Sequence, residues 1–147
     1  MTPLSITIRK DFSLSLYGFS GVAARQDWAG TGKHLMNRLW QEVRSRQLAT
    51  NGINIWVYDE GGHLFTGVGL TAPPPAGSPL ESKTVLLPRY AYYKHIGPYD
   101  KIKATYEAAH AELRKIGIRA RLPYVEIYGH WTEDPSKLET ELLWSIS

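Results

Sequence analysis

The chain has no cysteine among its 147 residues. That absence excludes disulfides, thiolate nucleophiles and cysteine-bound zinc or iron–sulfur centres, and it suits a reducing compartment, so a cytoplasmic location is expected. Long apolar runs are also missing. No stretch approaches the length that spans a bilayer, and the opening "MTPLSITIRKDF" lacks the apolar core of a signal peptide. No Asn-x-Ser/Thr acceptor site occurs. Histidines are few and scattered (34, 63, 95, 110 and 130), with no pair at i, i+4 on a helix, so neither a metal site nor a cofactor is expected. Two catalytic loops are approached but not completed. "GTGKH" (30–34) resembles the end of a phosphate-binding loop, yet Asp27 stands where the first glycine belongs and His34 where Ser or Thr belongs. "GFSGV" (18–22) misses a nucleophile elbow because Val22 replaces the last glycine.

What remains is a globular composition, with 43% apolar and 21% charged residues, in a length suited to one domain. The net charge of +3 suggests mild attraction to anions. Arg114, Lys115, Arg119 and Arg121 cluster at the end of an expected helix, where cations also suit the helix dipole. No nucleic-acid motif accompanies them.

The segment "TAPPPAGSPLESK" (71–83) holds four of the nine prolines and reads as a linker between half-repeats of about 1–70 and 84–147. Each half shows the same order. "FSLSLYGFSGVAAR" reads as a strand region and 31–48 as a helix with Leu35, Met36, Leu39, Trp40 and Val43 on one face. "GINIWVYDEGGHLFTGVGL" then reads as two strands around an Asp-Glu-Gly-Gly turn. In the second half "KTVLLPRYAYYKHIG" is a strand, and 100–116 a helix with Ile102, Tyr106, Ala109, Leu113 and Ile116 on one face. Asp100 is its expected N-cap and Gly117 its stop. "RLPYVEIYGH" and "ELLWSI" supply the last two strands. At an offset of 70, Met36 matches Tyr106, Leu39 matches Ala109, Val43 matches Leu113, Ile55 matches Val125 and Val57 matches Ile127. The expected fold is therefore α+β: duplicated βαββ units with pseudo-twofold symmetry, antiparallel sheets with a helix on one face, and a ligand cleft between the units.

The same offset sets Glu126 against Trp56 and Tyr128 against Tyr58. Ile53, Ile55, Val57, Val125 and Ile127 form an aliphatic face expected to pack beneath the helices. The opposite face carries Trp56, Tyr58, Tyr124, Glu126 and Tyr128, where a solvent-facing strand normally offers Thr, Lys or Gln. Glu126 is then either a solvated rim residue or the charged wall of an aromatic pocket. In the second case lost hydration would give it an appetite for a lipophilic cation, to which ring faces add about 0.5–2 kcal/mol each. His95, just before Gly97-Pro98-Tyr99, is expected to orient the strand-to-helix turn by hydrogen bonding.

"YAYYKHIGPYDKIKATYEAAHAELRKIG" followed by "PYVEIYGH" resembles the GyrI-like effector-binding family, which includes the ligand domains of AraC-type and MerR-type multidrug regulators. The resemblance rests on His95-x-Gly97-Pro98-Tyr99, the helix after it, and Pro123-x-x-Glu126-x-Tyr128. A weaker pattern (Leu39-Trp40, Gly52, Tyr58-Asp59, Phe65, Gly67) extends it over the first half. It implies a stand-alone protein that binds amphipathic, cationic aromatic molecules, with Glu126 as charge partner. Trp56, Tyr58, Tyr128 and Trp144 are the expected aromatic walls, and Phe19, Phe65, Tyr92 and Trp131 are further ligand-binding candidates. Ser145 follows Trp144 where the family often has Pro, which leaves the placement of Trp144 open. The two halves fill the chain, so no helix-turn-helix and no sequence-specific DNA binding is expected, nor any membrane. Two other functions stay open: hydrolysis of cyclopropane-bearing toxins by the same Glu126 with help from Tyr58 or Tyr128, and a protein-partner role such as gyrase inhibition.

Overall fold

Asp27, the residue that spoils the phosphate-loop pattern, begins the first helix instead. Its side chain accepts a hydrogen bond from the Gly30 N–H at 3.0 Å, and "GTGKH" lies within the helical turns that follow. The computed structural model describes residues 4–146, and among these six strands and two helices run in the order β1 (Thr7–Val22), α1 (Trp28–Ser45), β2 (Ile55–Tyr58), β3 (His63–Val68), β4 (Glu81–Ile96), α2 (Ile102–Lys115), β5 (Ala120–Tyr128) and β6 (Glu139–Ile146). The expected βαββ order is thus present twice. The Asp-Glu-Gly-Gly turn joins β2 to β3 through a short helical turn at Glu60–Gly62.

Helix boundaries differ from expectation at three ends. α1 starts three residues earlier than the apolar pattern, because the cap is Asp27, and it ends at Ser45. There Gln47 adopts φ +53° and the Leu48 N–H returns to the Val43 carbonyl at 3.0 Å. Asp100 does not cap α2: it lies within a single tight turn, Tyr99–Lys101, that leads into the helix, and its side chain makes no capping bond. Gly117 does end α2. At φ +75° it takes the left-handed conformation that glycine adopts without strain, and the Ile118 N–H bonds the Leu113 carbonyl at 2.9 Å.

All strand pairs are antiparallel, and the two halves join into one closed sheet in the order β1-β3-β2-β5-β6-β4, with β4 pairing back to β1. The equivalent strands of the two repeats meet. β1 pairs with β4, and β2 with β5. In the second pair Trp56 faces Glu126, with Ile55 opposite Ile127 and Val57 opposite Val125. Trp56 and Glu126 are therefore partners both by repeat and by register, and the pseudo-twofold axis passes between them.

Closure reverses the expected use of the two sheet faces. Ile55, Val57 and Val125 do not pack beneath the helices; they face the interior with Leu16, Phe65, Val85, Leu87, Tyr90 and Leu143. A six-stranded closed sheet encloses a narrow space, which compact aliphatic side chains fill well. The aromatic face lies outside, under the helices. Trp56 joins Phe19, Leu35, Leu39, Val43, Leu64 and Val68 beneath α1. Trp144 joins Ala91, Ile102, Ala109, Leu113, Leu142 and Ile146 beneath α2. Repeat-matched residues play matched parts, Leu39 and Val43 on the buried face of α1 and Ala109 and Leu113 on that of α2.

Candidate functional site

Tyr128 packs against both helix-facing clusters, so its strand neighbour Glu126 stands at the seam between them. One row across the outer face of the sheet runs Phe19, Thr66, Trp56, Glu126, Leu142 and Tyr93, one residue from each strand. Glu126 is 5% exposed. Three phenols donate to its carboxylate: Tyr58 to Oε1 at 2.7 Å, Tyr128 to the same oxygen, and Tyr106 to Oε2 at 2.6 Å. These donors come from β2, β5 and α2, so both repeats contribute.

The phenols are themselves held by rings. Tyr58 meets Trp28 edge-on at 5.1 Å between centroids, and Trp56 lies 5.5 Å from Tyr128. Tyr99 closes on the other side of Tyr128 at 5.6 Å, and Tyr106 rests edge-on against Trp144 at 5.2 Å. Gly32 of α1 lets the Trp56 indole lie against the helix backbone, since a Cβ there would sit 2.8 Å from Cζ2 and closer still to Cη2 and Cζ3. Burial, and then the adjacent Glu126 charge, push the Tyr58, Tyr106 and Tyr128 hydroxyls well above the ordinary phenol range, so all three remain donors. The ion pairs found among the described residues lie elsewhere, at Arg46–Glu42, Lys83–Asp59, Lys94–Glu139 and Lys115–Glu112. Glu126 is thus hydrogen-bonded, while its negative charge meets no cation in these pairs. Several kcal/mol of desolvation cost is offset by three bonds to a charged acceptor worth about 1.5–3 kcal/mol each.

Five of the nine residues singled out from sequence are assembled here or adjoin the assembly: Glu126, Trp56, Tyr58 and Tyr128 directly, and Trp144 through Tyr106. Trp144 is fully buried beneath α2, its place settled by pairing with Ala91 and Tyr124. Phe19 shares the row but stands three strands from Glu126, with the Arg38 guanidinium 4.2 Å over its ring. Phe65 and Tyr92 lie on the interior side of the sheet. Tyr92 donates to Glu141 at 2.8 Å beneath the Arg9 guanidinium, and burial pushes its hydroxyl up to about 12. Trp131 is 72% exposed in the loop before β6. The site also contains residues that were not singled out: Tyr106, Trp28 and Tyr99. Two surface recesses of about 320 and 290 Å³ open away from Glu126, one lined by Phe19, Arg38, Gln41, Glu42, Ser45 and Pro79, the other around Asp59, Glu60, His63 and Lys83.

His95 is 6% exposed, and its ring bridges the Pro98 carbonyl (Nε2, 3.0 Å) and Thr105 Oγ1 (Nδ1, 2.9 Å). It fixes the turn from β4 into α2, the helix that delivers Tyr106.

The sequence profile of the GyrI-like small molecule binding domain matches residues 21–147. The chain belongs to the GyrI-like family. No curated protein is significantly similar to it in sequence. Among solved structures, the C-terminal domain of EcmrR superposes with a TM-score of 0.72 at 14% identity, covering 97% of each chain. The longer EcmrR chain in a DNA complex matches equally well, and this protein spans 57% of its length. SAV2435 bound to tetraphenylphosphonium superposes with a TM-score of 0.63 at 18% identity, over 98% of this chain and 94% of that one. A hydrolase from Listeria innocua gives 0.62 at 12% identity, over 99% and 94%. These likenesses establish the GyrI-like fold, and among the described residues no helix is long and apolar enough to cross a membrane.

Proposed function

We propose that this GyrI-like domain binds lipophilic aromatic cations against Glu126, as a sensor or a sequestering protein. The observation that carries the reading is a carboxylate 5% exposed, held by three tyrosine hydroxyls and absent from the ion pairs of the described residues. A buried charge without a counter-ion is a standing electrostatic demand, and a cation with delocalised or shielded charge meets it at little dehydration cost. The surrounding rings of Trp28, Trp56, Tyr99 and Tyr128 offer further cation–π contacts. SAV2435, the relative with tetraphenylphosphonium bound, supports the choice of ligand class. Because the rings pack over the carboxylate, a ligand has to displace at least one of them, which favours shape-tolerant, micromolar binding over a tight single fit.

The test is a tryptophan-fluorescence titration with tetraphenylphosphonium on the wild type and Glu126→Gln. Saturable quenching that weakens at least tenfold in the variant (about 1.4 kcal/mol) is expected; equal binding by both proteins defeats the proposal. A hydrolytic reading draws on the Listeria hydrolase of the same fold. Under it, Glu126 would activate water while a phenol donated to the substrate. Turnover of an electrophilic substrate, abolished by Glu126→Gln, separates it from binding alone.

A further inference from the structure

We infer that His110 is a positioning residue for Tyr106 and makes the seam acid-sensitive: a proton taken up on its ring loosens α2 and speeds release of a bound cation. The inference rests on the cation reading above and concerns how the site lets its ligand go.

The repeat shows what is unusual at this position. At the offset of 70, His110 matches Trp40 and Tyr124 matches Asn54. In the first half that pair is neutral and satisfied, with the Trp40 indole N–H donating to Asn54 Oδ1 at 2.6 Å. In the second half both partners are titratable rings. His110 is half-buried, and its Nε2 is buried with no hydrogen-bond partner among the described residues. Its ring centroid lies 5.7 Å from that of Tyr106, 5.6 Å from Tyr124 and 5.4 Å from Trp144. It stands one turn along α2 from Tyr106, where side chains at i and i+4 meet. It thus ties Tyr106 to β5 through Tyr124 and to β6 through Trp144. Among the described residues Tyr106 alone donates to Oε2 of Glu126, so what holds Tyr106 holds that side of the site.

A neutral imidazole suits this place and an imidazolium does not. Burial first, and then the Arg114 cation one turn on, hold the ring below its ordinary value. The groups facing it are Tyr106 and Arg114 on α2, Tyr124 on β5 and Trp144 on β6. Glu107, three residues back on α2, is exposed, and among the described residues no carboxylate forms an ion pair with His110. Tyr106 and Tyr124 keep their protons beyond the ordinary phenol range and Arg114 keeps its charge, so within this group only His110 changes state below neutrality. Because the fold favours the neutral ring, its stabilising contribution is whole above the unfolded value near 6.5 and is lost as pH falls below it. The same proton places a positive charge beside Tyr106, which repels a cation seated at Glu126. Both effects hasten departure.

Tetraphenylphosphonium has no titratable group, so its charge is the same at every pH of the test. Its dissociation from the wild type, His110→Phe and His110→Gln is followed by stopped-flow dilution with tryptophan fluorescence, at pH 7.5 and 5.5 and fixed ionic strength. Phenylalanine keeps a ring in place, and neither variant can titrate there. The wild type should release the phosphonium at least about threefold faster at pH 5.5, and each variant should stay within about 1.5-fold of its own rate at pH 7.5. In urea unfolding, the wild-type midpoint should fall relative to that of His110→Phe over the same interval. Should neither variant fold, the Cε1–H NMR titration of His110 in the wild type decides, with a midpoint below the ordinary value near 6.5 expected. Unchanged or slower wild-type release at pH 5.5, equal acceleration in all three proteins, or a titration midpoint at or above that value overturns the inference and leaves the cation site standing. If tetraphenylphosphonium does not bind at all, the cation reading falls. The loosening of α2 is then decided by the urea midpoints alone: divergence of wild type and His110→Phe with falling pH upholds it, and parallel midpoints overturn it.

Discussion

Replacing Gly32 by alanine probes the closest packing in the site. A Cβ at this position would stand 2.8 Å from Trp56 Cζ2, and nearer to two other ring atoms, against the 3.5–4.0 Å of a relaxed carbon contact. The indole has to retreat, and overpacking of this kind costs about 1–3 kcal/mol. Gly32 is buried, but alanine's higher helix propensity still works in the opposite direction, by about 1 kcal/mol over glycine. The single variant should thus lose from about 0 to 2 kcal/mol. With Trp56 shortened to leucine the clash disappears, and the same Gly32→Ala change should stabilise by about 1 kcal/mol. The double-mutant cycle then reports a coupling of about 1–3 kcal/mol between the two positions. Urea unfolding of the four proteins, followed by far-UV circular dichroism, measures it. Additivity within about 0.5 kcal/mol would show that the indole does not lie on Gly32, and the account of the closed site would fail with it.

Alkaline pH tests the phenols. Tyr58, Tyr106 and Tyr128 hold their protons in the fold above the ordinary value near 10, while the unfolded chain releases them there. The fold binds more protons than the unfolded chain above that pH, so stability is fully present below 10 and falls by about 1.4 kcal/mol per pH unit for each group as pH rises. Absorbance at 295 nm should show these tyrosines ionising only with unfolding; titration of all nine near 10 would contradict the burial described. His95→Ala removes both bonds that hold the turn before α2 and should cost about 1–3 kcal/mol in urea unfolding, with faster amide exchange across 96–101; a loss below about 0.5 kcal/mol would make the ring a bystander. Trp131→Phe, at an exposed position in the loop before β6, should leave phosphonium affinity within about twofold, and a drop beyond fivefold would extend the site to that loop.

The repeat was legible because both halves obey the same two periods. Leu39 and Val43 recur as Ala109 and Leu113 on helices, and Ile55 and Val57 recur as Val125 and Ile127 on strands; each quartet is buried as a set or nearly so. Alternation says that two faces differ, but not which of them a closed sheet turns inward. That choice depends on β1 pairing with β4 and β2 with β5, contacts between distant segments, and so the aliphatic and aromatic faces were exchanged. Glu126 stood out because a carboxylate between tyrosines violates the usual strand pattern. Tyr106 did not, since a tyrosine on an apolar helix face reads as core, and its hydroxyl finds Glu126 only when α2 is laid on β5 and β6. Trp28 opens α1 and Tyr99 sits in the turn before α2, where no periodicity marks a residue as inward-facing. Asp27 did carry a signal, an acidic residue immediately before the helix, and the glycines after it drew attention to the wrong motif.

The meeting of Trp56 with Glu126 on the pseudo-twofold axis has a consequence for how such a site can be encoded. Two identical chains paired in this register would place one residue type opposite itself, either two carboxylates pressed together or two indoles with no charge between them. A lone anion at the centre of symmetry requires the two copies to differ at that single pair of positions. Joining the halves in one chain makes the difference heritable. One half is then free to supply the ring and the other the charge, on a frame whose remaining pairs can stay nearly alike.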